Sequence, residues 1–217
     1  MIIVGICGGS GKSTFAERIR DGLSCSCEIM RLDCYYFDQG GKPFEERTKV
    51  NYDSPEIFDF DEMLEDIRLL LDGKPVTRKG YNYAEHRRDD SEELMYPPEV
   101  LIIEGIHVFY DDRICNIMNL KLFIKVDSDI CLLRRIARDM NERGRSLESI
   151  SEQYKATVKP MREKYIDKYI DKADVVVMRG GMNEQALKTT ISYLKSCVKE
   201  QRPVESEKNE SDGNDSE

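Results

Sequence analysis

An α/β fold built on a doubly wound parallel sheet is predicted by three features of the chain. Short apolar runs alternate with amphipathic runs of helical period along most of the sequence. One apolar run, residues 100–103, is continuous, as in a strand buried on both faces of a parallel sheet. The first apolar run leads through a glycine-rich turn straight into a helical pattern, the strand-turn-helix order of a βα unit.

The elements follow in order. Residues 2–7 read as the first strand, and residues 13–23 as a helix with Phe15, Ile19 and Leu23 at helical spacing. Residues 28–32 form a short second strand, followed by a polar, aromatic-rich loop to about Pro55. The next helix spans 58–71, with Phe60, Leu64, Ile67 and Leu71 on one face and Gly73 just beyond its end. Between Pro75 and Pro98 lies a tyrosine-rich, charged excursion that suits a hairpin over a site better than a core element. Residues 120–126 and 174–178 read as further strands, with helices over 129–141, 147–158, 161–170 and 183–198. In a right-handed doubly wound sheet, ligands bind at the carboxyl ends of the strands. No internal repeat is present.

At 217 residues the chain suits one well-packed domain, expected over 1–200. The net charge is -9, and residues 201–217 hold six acidic and two basic side chains, which leaves the body near -5. Those last residues are almost without apolar side chains and are expected to form a disordered acidic tail. An acidic body argues against nucleic acid as a partner, so any basic site must be local. The seven cysteines are scattered, with no C-x-x-C pair, and do not make a zinc ligand set. No run approaches the ~20 apolar residues of a membrane span, and the expected setting is a reducing cytoplasm.

Gly8, Gly9, Ser10, Gly11, Lys12, Ser13 and Thr14 have the chemistry of a phosphate cradle. Backbone N–H groups converge on a polyphosphate and the next helix points its positive end at it; Lys12 adds an ammonium and the Ser13 hydroxyl a ligand for Mg²⁺. The strict spacing G-x-x-x-x-G-K-[ST], counted back from Gly11, needs glycine at position 6 and finds Ile6, with Gly5 one place early. The loop reads as one residue short.

Glu104 closes the strand of residues 100–103 and can hold a water on Mg²⁺ beside that loop; the alternative is a strand-ending acid in solvent. Asp33, ending the second strand, can accept a proton from an attacking hydroxyl or simply cap a turn. Arg135 and Arg138 share a helix face, with Ile130, Leu133, Ala137 and Met140 as the expected buried stripe, and Arg143 and Arg145 flank a glycine hinge. Such guanidinium groups can clamp phosphates and exclude water, or form a solvated face. His107, in apolar company, reads as a satisfied core residue; His86, among tyrosines, can stack on or hydrogen-bond a planar base.

Together these segments resemble the uridine kinase (uridine-cytidine kinase) family of P-loop nucleoside kinases. The resemblance covers about residues 1–200. It is carried by Asp33-Cys34-Tyr35-Tyr36, Asn51-Tyr52-Asp53-Ser54-Pro55, the run from Tyr81 to His86, Ile103-Glu104-Gly105-Ile106, Arg134-Arg135-Ile136 with Arg138-Asp139, Asn141-Glu142-Arg143-Gly144-Arg145-Ser146, Gln153-Tyr154, and Ala173-Asp174 with Arg179-Gly180-Gly181. It implies a three-layer P-loop kinase fold with a hairpin over the nucleoside site and a helical lid. The implied reaction is transfer from ATP or GTP, with Mg²⁺, to uridine or cytidine, giving the 5′-monophosphate. By that resemblance Asp33 is the base, with Lys12 and Arg138 in the catalytic set, and Asp53 binds the ribose hydroxyls. Tyr81 and His86 read the pyrimidine edge, Arg135 and Gln153 complete the nucleoside pocket, and Tyr36 lines it near the attacking hydroxyl. Arg138, Arg143 and Arg145 lie over the triphosphate, and Ser13 and Glu104 serve the metal. A homotetramer in the cytoplasm is implied as well.

The chain departs from the family pattern in its shortened phosphate loop, in Gly80 where proline is common, and in Arg87-Arg88 after His86. Two other readings stay open: another P-loop small-molecule kinase, acting on nicotinamide riboside, pantothenate or ribulose phosphate, and a nucleotide-binding regulator that has lost turnover.

Overall fold

The computed structural model describes residues 1–201. The expected acidic tail lies outside the described residues except for Gln201, which ends the last helix. Strand β1 (Ile2–Gly8) is followed by α1 (Lys12–Gly22) and β2 (Cys27–Arg31). A short helix α2 (Phe44–Arg47) precedes α3 (Phe60–Leu71), and the hairpin strands β3 (Val76–Asn82) and β4 (Arg87–Met95) come next. Then come β5 (Val100–Glu104), the short α4 (Asp112–Cys115), β6 (Leu120–Lys125) and α5 (Ser128–Arg143). The chain closes with α6 (Leu147–Gln153), α7 (Lys159–Lys164), β7 (Val175–Met178) and α8 (Glu184–Gln201).

Five strands form a parallel sheet in the order β2-β5-β1-β6-β7, and β3 and β4 pair antiparallel apart from it. Alternation along the strands sorts two cores. Ile2, Val4 and Ile6 face Phe15 and Ile19 of α1 and Leu187 and Leu194 of α8. Ile3 and Cys7 face the other way, in the cluster that holds Met63, Ile67 and Leu70 of α3. Apolar side chains on both faces of each central strand explain why β1 and β5 read as unbroken hydrophobic runs. This is the expected three-layer α/β architecture. Among the described residues, no helix is long and apolar enough to cross a membrane.

Four expectations need correction. Asp33 does not end the second strand: β2 stops at Arg31, opposite Glu104, and Asp33 sits in a 3₁₀ turn over Leu32–Tyr35. Residues 147–158 and 161–170 are not two separate helices. The chain runs through α6, a π turn over Tyr154–Val158 and α7, breaks at Tyr165, and resumes as a 3₁₀ segment, Ile166–Lys172. Pro160 lacks an N–H and crowds the carbonyl one turn back, and the wider π turn relieves that clash.

The stripe of α5 is inverted. Leu133 is 62% exposed, Ile130, Ala137 and Met140 are exposed too, and the fully buried side chain of the helix is Asp139. Periodicity identifies opposite faces but does not say which one meets the protein. The face turned inward instead carries Cys131, Leu132, Arg135, Ile136 and Asp139, and its charged members find partners beneath it.

The phosphate loop is the fourth. β1 ends at Gly8, so only Gly9 and Ser10 stand between the two loop glycines where the pattern asks for four residues. Measured from the strand end, the loop is two residues short rather than one.

Candidate active site

The loop turns on Gly8 and Gly11, both at positive φ (105° and 100°). A Cβ at Gly8 would stand 2.5 Å from the Ile124 carbonyl oxygen, and one at Gly11 would stand 2.8 Å from the Gly181 nitrogen, so neither place accepts a side chain. The Gly9 N–H donates to the Ile124 carbonyl at 2.7 Å and is spent on β6. The first α1 amide to close on the loop is Phe15, on the Gly11 carbonyl, which leaves the N–H groups of Lys12, Ser13 and Thr14 ahead of the first helical hydrogen bond. Lys12 Nζ folds back onto the carbonyls of Gly8 (3.4 Å) and Gly9 (3.2 Å). All seven loop residues from Gly8 to Thr14 line one cleft of about 410 Å³.

Beneath that loop the Ser13 hydroxyl donates to Glu104 Oε1 at 2.9 Å, and Arg31 Nε stands 3.7 Å from the same oxygen. Burial pushes the Glu104 carboxyl up, with Asp33 adding to the rise, while Lys12, Ser13 and Arg31 pull it down. A hydroxyl and a carboxylate are the hard oxygen donors that Mg²⁺ takes while keeping most of its waters. No cluster of three or more metal-ligating side chains occurs among the described residues.

A second cleft of about 350 Å³ opens beside the first, and the two share Asp53, Ile106, Arg135 and Arg138. Its walls include Asp33, Tyr36, Tyr81, His86 and Gln153, so the structure brings together every residue expected around a nucleoside. Asp53 Oδ2 accepts from the Thr157 hydroxyl at 2.9 Å, and Arg135 lies 3.8 Å from Oδ1. Its backbone oxygen meets His107 Nε2 at 2.8 Å, while the other ring nitrogen meets the Tyr169 hydroxyl at 2.9 Å. Burial pushes His107 down to about 4, so the ring is neutral and works as a strut under Asp53. The reading of His107 as a satisfied core residue agrees with this.

Aromatic rings make the opposite wall. Tyr36 is stacked on Phe58 (4.4 Å between centroids) and its hydroxyl donates to the Tyr52 carbonyl. Tyr52 in turn stacks on His86 at 5.0 Å. The Tyr81 hydroxyl is buried without a hydrogen-bond partner of good geometry among the described residues. His86 sits at the hairpin turn with φ of 51°, and burial, aided by Arg145, Arg47 and Arg143, lowers its pKa.

Arg143 and Arg145 differ from expectation: both line the second cleft and neither lines the phosphate-loop cleft. Gly144, at positive φ, ends α5 and turns Arg145 back beneath it. Arg145 reaches Gln153 Oε1 at 2.5 Å, as does Arg135 at 3.1 Å. Asp139 holds this set: Arg138 lies 2.9 Å away, Arg143 and Arg145 3.5 Å and Arg135 3.6 Å. Arg138 alone of the three expected over a triphosphate lines both clefts.

Sequence reasoning gave no role to Asp139, Thr157 or Tyr83, whose hydroxyl donates to Asp33 Oδ2 at 2.6 Å. An acid among arginines was the available signal for Asp139; nothing local marks Thr157, 104 positions from its partner.

The model of the Phosphoribulokinase / Uridine kinase family matches residues 2–186. The chain belongs to that family. Among its relatives, the uridine kinase of Ligilactobacillus salivarius is 40% identical over 201 residues, 91% of this chain and 94% of that one. The uridine kinase of Streptococcus uberis is 42% identical over 202 residues, 92% and 96% of the two chains. Two solved structures share the fold: phosphoribulokinase from Rhodobacter spheroides (TM-score 0.61, 14% identity, 82% of this chain and 69% of that one) and a possible uridine kinase from Bacillus stearothermophilus (0.51, 17%, 81% and 87%). The family makes this chain a phosphotransferase that takes its phosphoryl group from a nucleotide.

Proposed function

We propose that the chain transfers the terminal phosphoryl group of ATP to the 5′-hydroxyl of uridine, giving UMP in pyrimidine salvage, with cytidine as a second acceptor. The observation that carries this reading is the junction of the two clefts at Asp53, Arg135 and Arg138. A phosphate cradle and a pocket walled by aromatic rings and carboxylates open onto each other there. The relatives named uridine kinase, at about 40% identity over nearly their whole length, support the choice of acceptor.

In this reading Asp53 accepts two hydrogen bonds from the ribose, a task for which Thr157, Arg135 and the His107 strut pre-set it. The buried Tyr81 hydroxyl, beside that of Tyr52, and neutral His86 meet the polar edge of the base. Asp33 takes the proton of the 5′-hydroxyl as that oxygen attacks phosphorus and the bond to the ADP oxygen breaks. Lys12 and Arg138 neutralise the charge that builds on the transferring group. Arg143 and Arg145 come to the phosphates only when the lid closes and they leave their present partners. Ser13 and Glu104 would hold Mg²⁺, which would supply charge neutralisation for the nucleotide's phosphates. A cytoplasmic homotetramer with one kinase domain over 1–200 completes the proposal, and seven cysteines with no disulfide among the described residues suit a reducing setting.

The test is ADP release from MgATP, with and without uridine, in a coupled assay. Uridine-dependent release is expected. Nucleotide binding without such release would favour the second reading, a nucleotide-binding regulator, which the short loop supports: one of its amides is spent on β6 and its lysine is turned onto its own carbonyls.

A further inference from the structure

We propose that Tyr83 selects the acceptor: with no nucleoside bound, its phenol takes the acceptor hydroxyl's place on Asp33 and thereby suppresses transfer of the phosphoryl group to water. This rests on the reading of Asp33 as the base and goes beyond it, because it assigns the hairpin turn a part in choosing between two nucleophiles.

The geometry has three parts. Tyr83 stands in the turn between β3 and β4, 50 positions from Asp33, and its hydroxyl donates to Oδ2 at 2.6 Å. Its ring is held from two sides, by the Arg143 guanidinium 4.6 Å from the centroid and by the Tyr81 ring, edge-on at 5.1 Å. The turn itself is tied down by the Asn82 side chain, whose Oδ1 accepts from the N–H groups of Ala84 and Glu85. Thus the phenol is aimed at the carboxylate by a turn, a stack and an edge contact.

The chemistry follows from what a phenol is. Burial and the Asp33 charge raise the Tyr83 pKa, so the hydroxyl keeps its proton at neutral pH and is no nucleophile. Hydrolysis needs water to form the new P–O bond while the bond to the ADP oxygen breaks, with the water proton passing to a base. A carboxylate already accepting a charge-assisted hydrogen bond is a poorer base for a water that must displace that bond. A nucleoside brings its hydroxyl on a scaffold gripped by Asp53 and the aromatic wall, so its binding energy can displace the phenol; a lone water has none to offer. Nucleotide alone can draw Arg143 toward the phosphates, and this removes the stack but leaves the phenol on Asp33.

Tyr83→Phe deletes the hydroxyl of a residue that is 41% exposed and outside both cores, so the fold is expected to survive. The variant should release ADP without uridine about tenfold faster than the parent, and its ratio of UMP formed to ATP hydrolysed should fall by a similar factor. A loss of structure alone would lower both rates and could not raise hydrolysis. Unchanged or slower uridine-free hydrolysis overturns the proposal. The contact itself is tested without turnover: in the ligand-free protein, melting shifts of Tyr83→Phe, Asp33→Ala and the double variant should depart from additivity by about 2 °C or more, and lose that coupling when uridine is added. Additive shifts also overturn it. If the parent shows no uridine-dependent ADP release, the kinase reading fails on that control, while the melting cycle still decides whether Tyr83 guards Asp33.

Discussion

The two clefts are built on opposite plans. The acceptor cleft is a network of side chains that satisfy one another: Asp53 on Thr157 and Arg135, Gln153 between Arg135 and Arg145, and four arginines around the buried Asp139. Its parts come from α5, α6, the hairpin and the loops after β2 and α2, so the cost of ordering them is met in folding rather than in binding. The donor cleft is centred on backbone, with a two-residue gap between Gly8 and Gly11, three open amides, and a lysine resting on carbonyls that a polyphosphate must displace, and Arg134, Arg138 and Arg162 stand across from that loop. Affinity for the acceptor is therefore spread over many residues, and affinity for the donor is concentrated in a few.

The largest effect should come from the acceptor-cleft residue that takes the proton of the attacking hydroxyl. Asp33→Asn keeps the shape of the pocket and removes the proton acceptor. Turnover should fall ~10²-fold or more, with uridine affinity within a few-fold of the parent by calorimetry. Near-parental turnover would remove Asp33 from the role of base.

Next comes the concentration of donor affinity. Lys12→Ala removes the ammonium of a loop that has little else, and ATP affinity should drop roughly 10- to 100-fold, the worth of charge-assisted contacts to phosphate. Uridine affinity should not move. If nucleotide binding is unchanged in equilibrium dialysis, the nucleotide is not held at this loop and the contrast between the clefts collapses.

The His107 strut should make stability depend on pH. His107 has its pKa pushed from 6.5 to about 4 by burial, so between those values the unfolded chain takes up a proton that the folded protein refuses. Stability is full above pH 6.5 and declines as pH falls toward 4, by up to ~3 kcal/mol. Replacing His107 with Gln should flatten the denaturation midpoint over that window. An unaltered pH slope would place the titration elsewhere.

The sheet was legible because each central strand buries both faces, and a short unbroken apolar run between turn signals suits a doubly buried strand better than a half-exposed one. Glu104 and Ser13 were legible because strand ends and helix starts converge at one edge of such a sheet. What stayed hidden depends on partners distant in sequence. The stripe of α5 was given the wrong sense, since Ile130, Leu133, Ala137 and Met140 make a better apolar face than the arginines do. Only the presence of Asp53 and Gln153 under the arginines decides the matter. The loop count failed for a simpler reason: Gly5 lies inside β1 and is no loop glycine, so the spacing has to be counted from Gly8 at the strand's end.

The smallest effect should be at His86, and it discriminates most finely. Its imidazole stacks on Tyr52, whose hydroxyl donates to the His86 carbonyl, so ring and backbone are held from the same side. Burial and three nearby guanidinium groups keep the ring neutral at pH 7, able to donate from one nitrogen and accept at the other. His86→Ala should weaken uridine binding about tenfold, one hydrogen bond's worth, and leave ATP binding alone. Because His86 has φ of 51°, alanine there also adds backbone strain. His86→Asn, which tolerates that conformation, separates the two causes: a loss of uridine affinity shared by both variants belongs to the ring, and a loss confined to alanine belongs to the turn. Equal losses for uridine and ATP would mean that His86 holds the hairpin over both clefts and reads no base.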